Sequence, residues 1–537
     1  MSVSRHALRQ PRDVTRRLLG TLTTRTIAAM IAVGPVALHA QAAASGGFQL
    51  RGTLGAKPGT RLVVSLNGGD TLVITAAANG TATFTSTPFA FTRKLADGGT
   101  YAAAIKRAPA GVRCLASNGE GTVSGASPMM RITCGVEWDL VSRSSDDKHF
   151  STLFESGATP SIGGMGVDDG RYVAFASEVA GIAGSLGKHR QVFWRDRQTG
   201  VTKLVSKAAD GAEGNQDSID PSISADGKSV AFESSASNLI GADTNGQHDV
   251  FVWREATGAI ERVSTGSKGE EANGGGSEAS ISGDGTFVAF TSSSALFPSM
   301  KGSDLTNVFL KDTKSGELRI LSVDASGRKG GGSSRPSISE DGARVAFHSG
   351  VALTKDDGNT LWDIFVWDRT TGALTRVSRT AAGAERDQGQ ESQMRVVAPA
   401  ISGDGHWVTF STTASNMTSE GTKLQQVYLA SADGGSVKRL STTKDGATGD
   451  NDSPIQQGER VGISYDGRWV VFTSNATNLG ASIVAKNTST GAIITLVPLG
   501  ARIGRPDISR DGTYIIVGVG ERKDPRFPSS GIFVKMR

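Results

Sequence analysis

Apolar and polar residues alternate with a period of two along most of this chain, in short runs, and no stretch holds a helical period. From Gly47 to Val136 the runs TRLVVSL, DTLVITA, TATFTST, TYAAAIKR, VRCLAS and MMRITC predict short strands. The segments NGGD, ANGT and DGGT between them supply the Asn-Gly and Asp-Gly pairs that tight hairpins need for positive φ. Residues 47–136 therefore read as a small antiparallel β-sandwich. Beyond Trp138 the alternation becomes a repeat. PSISADGKSVAFESS at Pro221 returns as ASISGDGTFVAFTSS at Ala279, PSISEDGARVAFHSG at Pro336, PAISGDGHWVTFSTT at Pro399, VGISYDGRWVVFTSN at Val461 and PDISRDGTYIIVGVG at Pro506, with a degraded first copy from Pro160. A second element follows each of the first six, as in DVFVWREATGAIERVS from Asp249 and DIFVWDRTTGALTRVS from Asp363.

The paired Asp-Gly residues begin at Asp169, Asp226, Asp284, Asp341, Asp404, Asp466 and Asp511, so the unit is about 57 residues long. Each unit holds four strand-length runs, with Asp-Gly joining the first two and Thr-Gly or an equivalent joining the last two. Seven such units predict an all-β, seven-bladed β-propeller over 137–537. The seventh copy stops after its third strand, at GIFVKMR, while an orphan run, EWDLVSRS, precedes the first. Residues 137–144 are thus expected to supply the missing fourth strand and close the ring.

The P-S-I-S-x-D-G-x-x-V-A-F core followed by D-V-F-V-x-D-x-x-T-G-x-x-x-R-V-S resembles the WD40-like propeller repeat of the TolB-like family of exported bacterial proteins. The resemblance covers about 400 residues and implies a fold, and an exported location, more than an activity. The stretch before it resembles the immunoglobulin-like or prealbumin-like sandwiches that precede larger domains in such proteins.

Composition narrows the function classes. Gly contributes 69 of 537 residues and charged residues only 20%, which fits a turn-rich chain. The formal charge of +5 suggests a polyanion partner until it is located. Residues 1–42 carry Arg5, Arg9, Arg12, Arg16, Arg17 and Arg25 against Asp13, which accounts for all of it. With the apolar stretch Ile27–Ala40, those residues read as a signal peptide, by the general secretory or the twin-arginine route. A nucleic-acid partner loses its support, no run in the mature chain is long enough for a transmembrane segment, and the location reads as periplasmic or secreted. In an oxidising compartment the two cysteines, Cys114 and Cys134, are expected to form a disulfide.

Candidate chemistry is sparse. The seven Asp-Gly aspartates are accounted for by turn geometry. Between second and third strands the spacing D-x-N-x-x-x-D occurs twice, as Asp243, Asn245 and Asp249 and as Asp357, Asn359 and Asp363, while the third unit keeps Asp304 and Asn307. Oxygen ligands so close together suit calcium; Asx turns anchoring the third strand explain them equally well. His149, His189, His248, His348 and His406 fall at different phases of the repeat, which argues against convergence on an axial metal. No G-x-S-x-G elbow is present. Trp194, Trp253, Trp367, Trp407 and Trp469 lie in or beside strands and read as packing, whereas Trp362, in a long loop, is the candidate exposed aromatic. The Asp-Gly and Thr-Gly turns fall on one face; the longer connections, such as Arg379–Val397, fall on the other. The expectation is a non-enzymatic scaffold binding a protein or cell-envelope partner through the long-loop face. The alternatives are a polysaccharide lyase-like enzyme and a lectin-like glycan binder using the axial funnel.

Overall fold

The structure, a computed structural model, describes residues 47–56, 59–77, 85–107, 113–117, 119–135, 139–142, 145, 159–241, 243–294, 296, 306–324, 326–327, 331–359, 361–387, 398–454, 460–500, 503–520 and 531–536. The expected signal peptide, His149 and Asp304 lie outside them, as do Glu137, Trp138, Arg143, Ser144 and the 388–397 part of the long loop. The described residues are all-β, with no α-helix among them.

The N-terminal residues build two four-stranded sheets from β1 (Phe48–Ala56), β2 (Arg61–Leu66), β3 (Asp70–Thr75), β4 (Thr85–Leu95), β5 (Thr100–Arg107), β6 (Arg113–Ser117), β7 (Glu120–Thr122) and β8 (Met129–Gly135). One sheet has the order β4-β1-β8-β6 and the other β3-β2-β5-β7. Leu50 and Leu54 from the first and Leu62, Val64 and Leu66 from the second, all fully buried, share one apolar cluster. Cys114 and Cys134 stand opposite each other on β6 and β8 and form a disulfide.

Residues 139–536 give seven further four-stranded sheets, one per sequence repeat. The second is representative: Ser218–Ile223, Ser229–Ser234, Asp249–Arg254 and Ile260–Arg262, all antiparallel. The seventh, Asp507–Ile508, Tyr514–Val519 and Gly531–Met536, takes its fourth strand from Asp139–Leu140, which pairs Leu140 with Phe533 and Asp139 with Val534. The Val141 N–H also donates to the Ile532 carbonyl at 2.8 Å.

The apolar run of each second strand has no polar face because both faces are covered. In Tyr172–Ser177, Tyr172, Ala174 and Ala176 pack against the second sheet, while Val173 and Phe175 pack against the seventh. The same sharing recurs between every neighbouring pair of sheets, so the first and last sheets are joined as the others are. A glycine makes the fit close. The Asp-Gly turn glycine has φ near +70°, and at five of the seven turns a Cβ there would collide with an aromatic of the preceding sheet. Tyr172 covers Gly227, Trp407 covers Gly467, Trp469 covers Gly512, and Tyr514 of the last sheet covers Gly170 of the first.

The first turn is longer than the others and departs from the pattern. Elsewhere the turn aspartate accepts from a preceding serine and a following backbone N–H, as Asp226 does from Ser224 and Lys228. Asp169 instead reaches the last sheet, accepting from Ser509 Oγ at 2.7 Å and from the Asp511 N–H at 3.3 Å. Arg131 of β8 meets this seam, donating to the Gly166 and Asp169 carbonyls at 2.7 and 2.8 Å. Burial and the neighbouring Asp511 hold the Asp169 carboxyl well above its ordinary pKa.

Candidate functional site

The residue before each P-S-I-S motif occupies one structural position seven times over: Thr159, Asp220, Glu278, Arg335, Ala398, Arg460 and Arg505. Each lies within the first three residues of the innermost strand of its sheet or just ahead of it, and all seven line one cavity of about 260 Å³ on the long-loop side. Only one of them is apolar. Asp220, Glu278 and Arg335 have φ of 48°, 56° and 57°, in the left-handed region, which Gly, Asn and Asp visit and which Glu and Arg avoid. The cause is a shift in strand register after Ile219, Ser277 and Ser334, which places two residues out of the ladder.

Below this ring the serine of P-S-I-S ties one sheet to the next. The N–H groups of Ile223, Ile281, Ile338 and Ile401 donate to the hydroxyls of Ser161, Ser222, Ser280 and Ser337 at 3.1–3.3 Å. In the last repeat Asp507 replaces the serine, and its Oδ2 accepts the Ile162 N–H of the first sheet at 3.2 Å. Deeper still, one isoleucine from each sheet, Ile162 through Ile508, lines the passage. At the turn face Arg510 reaches across to Glu340 at 2.9 Å and lies 3.7 Å over the Tyr465 ring. The passage is therefore a funnel, charged at its long-loop mouth and obstructed at the turn end.

The mouth is electrically divided. Asp220 and Glu278 belong to the second and third sheets, Arg460 and Arg505 to the sixth and seventh. Arg335 lies 3.5 Å from Glu278, and its N–H donates to the same carboxylate at 2.7 Å. Arg460 crosses the funnel to donate to the Pro336 carbonyl at 2.5 Å. The Thr159 hydroxyl donates to Asp220 Oδ1 at 2.5 Å. Behind them Glu233, pushed up to about 8 by burial and then by Asp220, accepts the Glu278 N–H at 2.5 Å. Burial raises Asp507 and lowers Arg460.

The two D-x-N-x-x-x-D loops lie elsewhere, near the outer strands. The oxygens of Asp243, Asp249 and Glu271 come within 4.8 Å of one another, and Arg262 Nη1 sits 3.6 and 3.5 Å from the two aspartates while also bonding Glu271. In the fourth sheet Arg376 stands 3.3 Å from Asp357, 3.6 Å from Asp363 and 3.0 Å from Glu385. Asn245 and Asn359 accept backbone N–H groups two residues on, from Gln247 and Leu361, as Asx turns do. A guanidinium already supplies the counter-charge, so a calcium ion would have to displace a buried arginine; the geometry favours the turn reading. The sequence carries a signal for this that spacing alone missed. Both third strands that start with an aspartate, Asp249 and Asp363, are followed by an arginine in the fourth, Arg262 and Arg376; the arginine alone is not the signal, since Arg439 follows a strand that starts with Gln426.

Trp362 corrects an expectation. Rather than standing exposed, it is half-buried, 4.8 Å from the His348 ring, and packs against the cluster between the fourth and fifth sheets. The described histidines stay apart and none lines the funnel. His189 lies beside Asp217, His248 beside Ser235, His348 beside Ser334 and His406 beside Asp404.

No family model matches the chain, and no curated protein matches it. Among solved structures it is similar to TolB from Acinetobacter baumannii, at 16% identity and a TM-score of 0.32 over 65% of this chain, and it spans only 60% of that protein. It is similar also to a putative TolB from Agrobacterium tumefaciens, at 16% identity and a TM-score of 0.35, covering 63% of this chain and 94% of that one. The β-propeller domain of the Trilobed protease from Pyrococcus furiosus matches at 14% identity and a TM-score of 0.42, covering 71% and 95%. At these values the likeness carries neither a family nor an activity over to this chain.

Proposed function

We propose that the chain is an exported, periplasmic or secreted scaffold: a signal peptide over 1–42, a β-sandwich over 47–136, and a closed seven-bladed β-propeller over 137–537 that binds a protein or cell-envelope partner through its long-loop face. The observation that carries this is the asymmetry of the axial funnel, whose charged mouth opens among the long loops while Arg510 and Glu340 meet across its turn end. Three of those loops are internally braced. Small hairpins bridge Lys207 to Glu213, Thr265 to Glu271 and Thr442 to Thr448, which lowers the ordering cost of binding. The lyase-like reading calls for axial histidines, and the lectin-like reading for exposed tryptophans; the positions of His348 and Trp362 favour neither. No helix among the described residues is long and apolar enough to cross a membrane.

The test compares the two faces. The exposed long-loop residues Asp210, Lys268 and Lys444 are changed to alanine in one variant, and the exposed turn-face residues Lys314, Glu317 and Arg468 in another. Partner retention from envelope extract is expected to fall at least tenfold in the first and to stay at wild-type level in the second. Equal retention by both would overturn the assignment.

A further inference from the structure

The ring at the funnel mouth does not neutralise itself evenly. Glu278 and Arg335 pair with each other, and Arg460 donates to a carbonyl. Asp220 and Arg505 are left on either side of Thr159, and among the described residues neither has an ion-pair partner. They face a cavity of about 260 Å³, just below the roughly 300–1,000 Å³ of ordinary small-molecule sites. Asp220 is set at the mouth by the register shift of its strand, in a left-handed backbone conformation. Its Oδ1 accepts from Thr159, and a carboxylate keeps further acceptor capacity for a cation. Across Thr159, the Arg505 guanidinium offers the planar fork that matches a carboxylate, with the Arg460 charge on the adjoining sheet.

We infer that the funnel mouth binds a small zwitterion, an α-amino acid or a short peptide of two or three residues, with its ammonium on Asp220 and its carboxylate on Arg505 and Arg460. Opposite charges fixed on one rigid rim select a ligand carrying both, and penalise one that lacks either, because a half-matched ligand strips water from a charge it does not satisfy. The inference rests on the binding-face reading above, yet the two fail separately, since one is read by partner retention and the other by titration of a small molecule.

The experiment is calorimetric titration of the folded chain with glycine, glycylglycine and triglycine, and with N-acetylglycine and glycinamide, which lack one charge each. At least one zwitterion is expected to bind at least tenfold more tightly than both capped compounds, and the three chain lengths separate a free amino acid from a peptide as ligand. Asp220→Asn, which keeps the acceptor for Thr159, and Arg505→Gln are each expected to weaken binding about tenfold with unchanged melting temperature. Glu317→Gln, on the opposite face, is expected to leave it unchanged. Equal affinity for capped and uncapped compounds, no binding by the folded chain, or an equal loss in Glu317→Gln would overturn the inference.

Discussion

Single side chains in this protein are placed by what the repeat leaves free to vary. The turn aspartates were readable from sequence because Asp-Gly has one dominant use, and Asp226 and its counterparts are turn formers. The arginines were not, since Arg262 and Arg376 sit in a polar-looking R-V-S run that resembles any outer strand. Their roles appear only when strands distant in sequence are superposed. Arg376 is nearly inaccessible and balances Asp357, itself pushed up to about 6 by burial and then by Asp363. Arg376→Leu is expected to cost about 3–5 kcal/mol of stability at pH 7, because it leaves buried carboxylates unpaired. The loss should shrink at pH 5, where Asp357 takes up a proton; urea unfolding at the two pH values measures it. In the wild type, added chelator should leave the melting temperature unchanged, and a fall of several degrees would restore calcium to these loops.

Glu233 gives a prediction of opposite sign from an ordinary salt-bridged acid. Its carboxyl titrates near 8 when folded, against 4.5 as the ordinary value. Between those values the folded chain holds a proton that the unfolded chain has released, so this group's contribution to stability declines as pH rises from about 4.5 to about 8. Glu233→Gln keeps an oxygen to accept the Glu278 N–H and cannot ionise. Its melting temperature is expected to fall less steeply than that of the wild type over this window and to exceed it at pH 8.5. Parallel curves would contradict the assignment.

At the scale of elements, the short apolar runs bounded by turn residues located the second strands well, because both faces of each are buried, giving runs such as YVAFAS with no polar interruption. Contacts between elements were less legible. The role of the P-S-I-S serine depends on a partner in another repeat: Ser161, Ser222, Ser280 and Ser337 each accept an N–H of the next sheet, and Asp507 performs the same task where the last sheet meets the first. The ring residues before the motif vary too much to stand out as a motif, and their variation is what gives the funnel mouth its polarity. The aromatic-on-glycine contacts were half visible: the tryptophans read as packing, but only coordinates show Trp469 resting on Gly512 and Tyr514 on Gly170.

At the scale of the whole molecule, the repeat count, the truncated last copy and the orphan first run together contained the topology. What they did not contain was the lock at the seam, where Asp169, Asp511 and Arg131 meet because the first turn is longer than the rest. Everything proposed for the funnel depends on the sheets closing around it, and closure depends on the short strand Asp139–Leu140 lying against Gly531–Met536. Leu140 and Phe533 face each other at a non-hydrogen-bonded pair of that ladder, where the Cα atoms come within about 4.5 Å, inside the range a disulfide spans. The decisive measurement is peptide mapping by mass spectrometry of the Leu140→Cys/Phe533→Cys variant, purified under oxidising conditions beside the native Cys114–Cys134 link. An intramolecular 140–533 disulfide in a folded monomer is the predicted result; two free thiols at those positions in a folded monomer, or links only between molecules, would contradict a closed ring.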